Sequence, residues 1–255
     1  MTSAQIAERF DSICWPLTIT KPNIDDYHIL FLDGESAADQ VGKKFCISNK
    51  GFGNILLFHK SYSELNFSFN LSFSGDRNLF LIDECSSLSG SMFCGNDCTA
   101  VMMGHQDFLR IDAGLYDGGT LLWGRGSRAH GCRIWTDGGN MVSIGDDCLF
   151  SERIEIRTSD HHSVIDLETM AQTNFPKDVS IGKHVWISPG VSIFKGVTIG
   201  SGSIVGLGSI VSKDIGETEL WAGIPASLVK TKVSWVDSHP AKPTDLDRMR
   251  EILSI

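Results

Sequence analysis

Between Val179 and Val211 an aliphatic residue returns at every sixth position, at Ile181, Ile187, Ile193, Ile199, Val205 and Val211. A second row lies two residues earlier, at Val179, Val185, Val191 and Val197. Residues two apart on an extended chain share a face, so each six encodes a short strand with both apolar side chains on one side. Glycines fill many of the remaining positions, among them Gly182, Gly190, Gly196, Gly202 and Gly208, as a chain turning a corner every few residues requires. Helices repeat at 3.6 and strands at 2, so a sustained period of six fits neither alone. A β-solenoid satisfies it, with three flat faces to a coil and the aliphatic rows stacked into a core.

The same spacing runs through Ile144, Phe150 and Ile156, then stops in the polar run Arg157-Thr158-Ser159-Asp160-His161-His162-Ser163. Residues 163–178, with Pro176 near their end, are expected to leave the solenoid as a loop. An excursion of this length from a compact repeat is usually functional. Upstream, from Asn78, the apolar pairs Leu79/Leu81, Met92/Phe93 and Val101/Met103 suggest coils of drifting period, with Leu88 between them, and atypical end coils are normal for solenoids. The expected domain runs from 78 to 226, about seven coils of ~18 residues and ~35 Å long at ~4.8 Å per coil. Residues 1–77 lack the repeat and read as an N-terminal cap or mixed α/β appendage. It would hold a helix over Ile6–Ile13, a strand over Tyr27–Leu32 ending at Asp33-Gly34, and strands over Ile55–His59 and Leu65–Phe73. The polar break Ile215–Leu220 ends the stack. The tail 227–255 is expected to close with a short helix capped by Thr244, with Asp247 three residues on and Leu246, Met249, Ile252 and Leu253 on one face.

Composition narrows the class. The 255 residues include 26 glycines and 7 prolines, a turn-rich β chain rather than a disordered one. A net charge of −9 argues against a nucleic-acid partner, although local basic patches survive such an average. Arg110, Arg125, Arg128 and Arg133 could meet an anionic sugar, but acidic neighbours make a solvated face the plainer reading. No run of 18 apolar residues is present, so no membrane span is expected, and the start MTSAQIAERFDSIC lacks a secretory pattern. A cytoplasmic protein is the expectation. The 7 cysteines include no CxxC pair and read as free, mostly buried thiols; Cys94 and Cys98 lack a second pair at zinc spacing, and no metal is expected.

The hexapeptides, the run Thr158–Ser163, His184-Val185-Trp186-Ile187, and Trp221-Ala222-Gly223-Ile224-Pro225-Ala226 together resemble the hexapeptide-repeat acyltransferases, in the branch that acetylates sugars of bacterial polysaccharides. The resemblance covers most of Asn140 to Lys230. It implies an all-β chain folded as a left-handed parallel β-helix, and a homotrimer with active sites between subunits. The implied reaction moves acetyl from acetyl-CoA to a hydroxyl of a capsular or lipopolysaccharide-type sugar. The family's general base falls on His162, with Asp160 or a backbone carbonyl orienting its ring. Trp186, set outward between inward Val185 and Ile187, would border the acetyl group. The contacts to coenzyme A fall on Pro189, Leu207, Ser212 and Lys230, with Lys213 and Lys230 able to meet phosphates and Gly223 offering backbone groups. Pro189 lacks a hydroxyl present in some relatives, and Leu207 replaces a smaller residue.

Alternatives stand beside each assignment. Carrying the register Ile144, Phe150, Ile156 forward by six makes His162 an inward core residue and leaves His161 as the outward base. His184 and His105 read as surface or corner residues. An amino-sugar nucleotide or an antibiotic-like molecule could replace the glycan acceptor. A three-histidine metal site does not match the spacing of His161, His162 and His184, and a non-catalytic scaffold leaves an exposed Trp186 unexplained.

Overall fold

A computed structural model describes residues 3–34, 45–62, 67–104 and 107–255. Both aliphatic rows of the six-residue repeat point inward, with no member above 2 % exposed. Each short strand pairs in parallel with the strand one coil on: Ile181 with Ile199, Ile187 with Val205, Ile193 with Val211. Corners between strands adopt left-handed backbone, as at Gly190 (φ 73°) and Gly208 (φ 67°). Where a side chain occupies such a corner it is polar, as at Asp147, Arg153 and His184.

The chain winds as a parallel β-solenoid with three faces. The first face stacks eight strands from Tyr27–Leu32 to Thr198–Ile199. Tyr27–Leu32 is antiparallel to its neighbour Asn54–His59, and the pairings that follow are parallel. The second and third faces share long bent strands in the early coils. Arg128–Thr136 continues both as Leu149–Phe150 and as Ile154–Arg157, with its pairing to Leu109–Leu115 breaking register between Ala129 and Cys132. From there the second face runs through Trp186–Ile187, Ile204–Val205 and Glu219–Gly223, and the third through Ser192–Ile193 and Ile210–Val211. Ala226–Thr231 closes the second face by folding back antiparallel on Glu219–Gly223.

Early coils are longer than late ones. Stacked corner residues are 20 apart at Asp76 and Asn96 and 21 apart at Arg125 and Asp146, but 18 apart at Lys183 and Ser201. The expected coil start at residue 78 is therefore too late. Phe45–Asn49 already pairs in parallel with Ser68–Phe73, and Asn54–His59 with Leu79–Ile82. Buried amides replace aliphatics inside these coils. Asn54 Oδ1 accepts from the backbone N–H of Asn78, whose own Oδ1 accepts from that of Cys98. Of the strand expected over Leu65–Phe73, Leu65 and Asn66 lie outside the described residues, as does His105.

The N-terminal helix spans Ser3–Ser12 rather than 6–13. It lays Ile6 and Phe10 over the outward apolar side chains of the first face, Ile55, Leu57, Leu79, Leu81 and Val101. Arg9 fixes it there by donating to the carbonyls of Asp97 (3.1 Å) and Cys98 (3.0 Å). The C-terminal helix, Pro243–Leu253, starts one residue before Thr244; its N-cap is Lys242 and no side chain caps it. Proline at the first helical position lacks the N–H that a cap would satisfy and brings a helical φ, so the helix begins there.

Candidate active site

The polar run after Ile156 leaves the third face at a corner. Thr158 and Ser159 stay buried: Thr158 Oγ1 accepts from the Asp137 N–H at 2.9 Å, and Ser159 Oγ donates to Asp137 Oδ2 at 3.0 Å. Asp160, His161 and His162 emerge into solvent. The six-residue register does not reach His162, because Thr158 and Ser159 take the last inward positions and the chain then turns through His161 in left-handed backbone (φ 58°). His162 is thus no core residue.

Asp160 is held by an ion pair to Lys195, one coil on, and by Asn174 Nδ2 at 2.7 Å. The Lys195 ammonium, followed by the Asn174 amide, holds its carboxyl below the usual carboxylate range. The other Nδ2 hydrogen of Asn174 meets the His162 carbonyl at 2.7 Å, so one amide pins both ends of the turn. The segment beyond is an exposed hairpin in which Ile165 bridges antiparallel to Gln172. Asp160 therefore meets Lys195 and Asn174, and no hydrogen bond joins it to the ring of His162. His161 has the more elaborate surroundings. Its Nδ1 lies 3.7 Å from Asp137 Oδ2, and its ring stands edge-on to Tyr116 and Trp135.

Trp186 points out of the second face, in a row with Leu149 and Ile204. It is half-buried rather than exposed, because residues of the C-terminal segment cross in front of it. Trp235 lies 6.3 Å from Trp186 and stacks on His184 at 4.5 Å. His184 Nε2 and the Trp235 carbonyl are 2.9 Å apart, and the Trp235 indole N–H donates to the His184 carbonyl at 2.8 Å. Nδ1 of His184 meets Asp147 Oδ2 at 2.8 Å. Of the two positions expected for it, surface or corner, His184 thus takes the corner, and it is buried there rather than at the surface. Ion pairs of Arg128 with Asp237 and of Arg248 with Asp147 fasten the same segment. The Trp186 indole N–H is buried without a hydrogen-bond partner.

The positions expected to meet coenzyme A divide between two corners. Pro189, Leu207 and Gly223 stack one coil apart between the second and third faces. The Gly208 N–H donates to the Pro189 carbonyl (2.9 Å), and the Gly223 N–H to Ser209 Oγ (3.1 Å). Leu207 is 74 % exposed there. Ser212 and Lys213 lie at the far side of the third face, one coil beyond Phe194 and Lys195, on the corner that also carries Asp160. Lys230 is opposite Leu220 in the closing hairpin. Ser212, Lys213, Gly223 and Lys230 are all exposed, and among the described residues neither lysine forms an ion pair within 4 Å. The chain therefore places the base candidates on one edge of the third face and Pro189, Leu207 and Gly223 on the other. No cluster of three or more potential metal ligands occurs among the described residues.

A polysialic acid O-acetyltransferase of Escherichia coli O1:K1 / APEC is 38 % identical to the chain over 112 residues, 44 % of this chain and 36 % of that protein. Over these residues the chain is similar to polysialic acid O-acetyltransferases. A second, from Neisseria meningitidis, is 46 % identical over 46 residues, 18 % of this chain and 21 % of that protein. Each alignment thus spans about a third or less of the curated relative. Over the whole fold, the polySia-specific acetyltransferase NeuO superposes with a TM-score of 0.71 at 27 % identity, covering 83 % of this chain and 98 % of that one. The solenoid is the left-handed β-helix of these acetyltransferases. No protein-family profile matches the chain.

Several residues of the site escape sequence reasoning. Lys195 and Asp137 reach the polar turn from neighbouring coils, Asn174 reaches it from the far arm of the exposed hairpin, and Trp235 reaches His184 across a separation of 51 residues. No local signal marks them, since Lys195 stands between Phe194 and Gly196 and Asp137 between Thr136 and Gly138.

Proposed function

We propose that the chain transfers acetyl from acetyl-CoA to a hydroxyl of a carboxylated bacterial surface glycan, with His162 as the general base. The observation that carries this reading is the exposed His162, fixed by the Asn174 amide and the Asp160–Lys195 pair where the chain leaves the solenoid. A ring nitrogen of His162 takes the proton of the acceptor hydroxyl as its oxygen attacks the thioester carbonyl. The C–S bond then breaks, and the imidazolium returns the proton to the leaving thiolate. Leu207 supplies an apolar corner for the pantetheine arm, and Lys213 and Lys230 offer unpaired ammonium groups to its phosphates. Because Leu207, with Pro189 and Gly223, lies across the third face from His162, a complete site needs a second copy, and the side-by-side trimer of the family supplies that arrangement. The similarity to polysialic acid O-acetyltransferases supports a sialic acid polymer as the first acceptor to try.

Acetyl-CoA at a hundred times its Kd should add ~2.7 kcal/mol of stability, an upward Tm shift of about 5–10 °C for a chain of this size. His162→Ala should lower kcat by at least ~10²-fold while leaving Tm nearly unchanged, because the side chain is exposed. Full activity in His162→Ala, with loss in His161→Ala, moves the base to the neighbour that already faces Asp137. No Tm shift at millimolar acetyl-CoA removes the transferase reading.

A further inference from the structure

The outer surface of the third face carries an arrangement that acetyl transfer itself does not use. In the register of its strands Phe93, Gly114, Trp135 and Arg157 form one outward row across four coils. Ser91, Asp112, Arg133 and Glu155 form the row beside it. Glycine at 114 is what lets the indole lie flat, since a Cβ there would stand 2.5 Å from the Trp135 ring. Tyr116 fills in beside it, stacked on Trp135 with ring centroids 6.1 Å apart and 5.5 Å from Phe93. The Arg157 guanidinium sits 6.0 Å over the same indole. His161 stands edge-on at the end of this shelf, one residue from His162.

Apolar rings on a solvent-facing sheet cost free energy unless something covers them. Here the Trp135 indole N–H is buried without a partner, so internal bonding has not satisfied the shelf. The shelf adjoins a groove of about 410 Å³ lined by Arg110, Arg133, Arg153 and His130, with Asp112, Glu152 and Glu155 among them. Arg153 and Arg157 pair with Glu152 and Glu155. Arg110 and Arg133 have no carboxylate within 4 Å among the described residues, which leaves two planar forks free for external carboxylates.

We infer that this shelf and groove form the acceptor subsite, which binds a run of carboxylated sugar units and delivers one of them to His162. The inference rests on the glycan reading above and adds where the polymer lies. Sugar rings offer flat C–H faces to aromatic rings, and free guanidinium groups bind carboxylates bidentately. The shelf spans several coils at ~4.8 Å each, so it favours a chain over a single sugar. A neutral polymer would meet the rings and leave the arginines unused.

The test is direct binding, read by intrinsic tryptophan fluorescence, with a sialic acid polymer and with dextran as a neutral control. The wild-type protein should bind the sialic acid polymer, bind dextran at least tenfold more weakly, and lose affinity for the acidic polymer as salt rises. Trp135→Ala and Arg133→Ala should each weaken polymer binding by about tenfold or more. The Tm shift given by acetyl-CoA should stay unchanged in both. Arg133 is exposed, so its variant remains informative if Trp135→Ala fails to fold. Unchanged polymer affinity in Arg133→Ala or in a folded Trp135→Ala overturns the inference. So does a change of oligomeric state on size-exclusion chromatography, which would make this face a contact between copies. Failure of the wild type to bind either polymer also overturns it, while a retained acetyl-CoA shift then leaves the transferase reading standing.

Discussion

Asp83 shows how one side chain joins the amino-terminal segment to the solenoid. Its buried carboxylate accepts from Tyr27 Oη at 2.8 Å, from Arg125 Nη2 at 2.6 Å and from the Gly104 N–H at 3.1 Å. Burial favours its neutral form, yet the bonds from Tyr27, the Glu84 backbone, Arg125 and Gly104 together hold its carboxyl below the usual carboxylate range. A carboxyl depressed on folding contributes stability in full above its unfolded pKa of ~3.9 and loses it as pH falls below that toward the folded value. Asp83→Asn should therefore cost about 2–3 kcal/mol at neutral pH, measured by urea unfolding, and should flatten the loss of stability below about pH 4. Residues of this kind were illegible in the sequence, since Tyr27, Asp83 and Arg125 have no common spacing. The aliphatic repeat was legible because every coil in it has the same length and the same inward positions. The same rule hid the earlier coils, whose 20- and 21-residue turns carry buried Asn54 and Asn78 where a six-residue pattern needs aliphatics.

At the scale of elements, the C-terminal segment alters the picture drawn from the repeat alone. Alternation correctly turned Trp186 outward, but it could not show that Trp235 would come to lie beside it or that His184 would be enclosed. The covering is a compact unit of one stacked ring pair, two polar contacts between His184 and Trp235, and the ion pairs to Arg128 and Asp147. Trp235→Ala should destabilise the protein by about 3–5 kcal/mol if the whole strap unfolds with the core. If the strap detaches alone, Tm should barely move while quenching of Trp186 fluorescence by acrylamide rises. Trp235→Phe should keep the stack and restore most of the protection, since it loses the indole N–H bond alone. The segment expected to leave the solenoid as a loop over 163–178 departs from expectation more mildly: it holds an antiparallel bridge of its own, Ile165 with Gln172, which the six-residue pattern does not encode.

For the whole molecule, the three faces of the solenoid have different fates. The first face is closed over its early coils by the N-terminal helix, so lateral association there would have to displace Ile6 and Phe10. The second face is crossed by the C-terminal segment. The third face remains open, and it carries the row running to His161. Ends matter as much as sides. A stack of parallel strands presents at each end a row of unpaired backbone groups, and any chain of matching pitch can add to it. Here the first-face ladder begins with a reversed strand, Tyr27–Leu32, and the second-face ladder finishes with another, Ala226–Thr231. A reversed strand breaks the translation that one coil applies to the next, so at these two edges a further copy finds no template. Removing residues 226–255 should leave Glu219–Gly223 as a bare parallel edge, and the shortened protein should form end-to-end filaments, visible by electron microscopy, where the full chain does not. The reversal that looks like a mere terminus is then what gives the molecule a finite length.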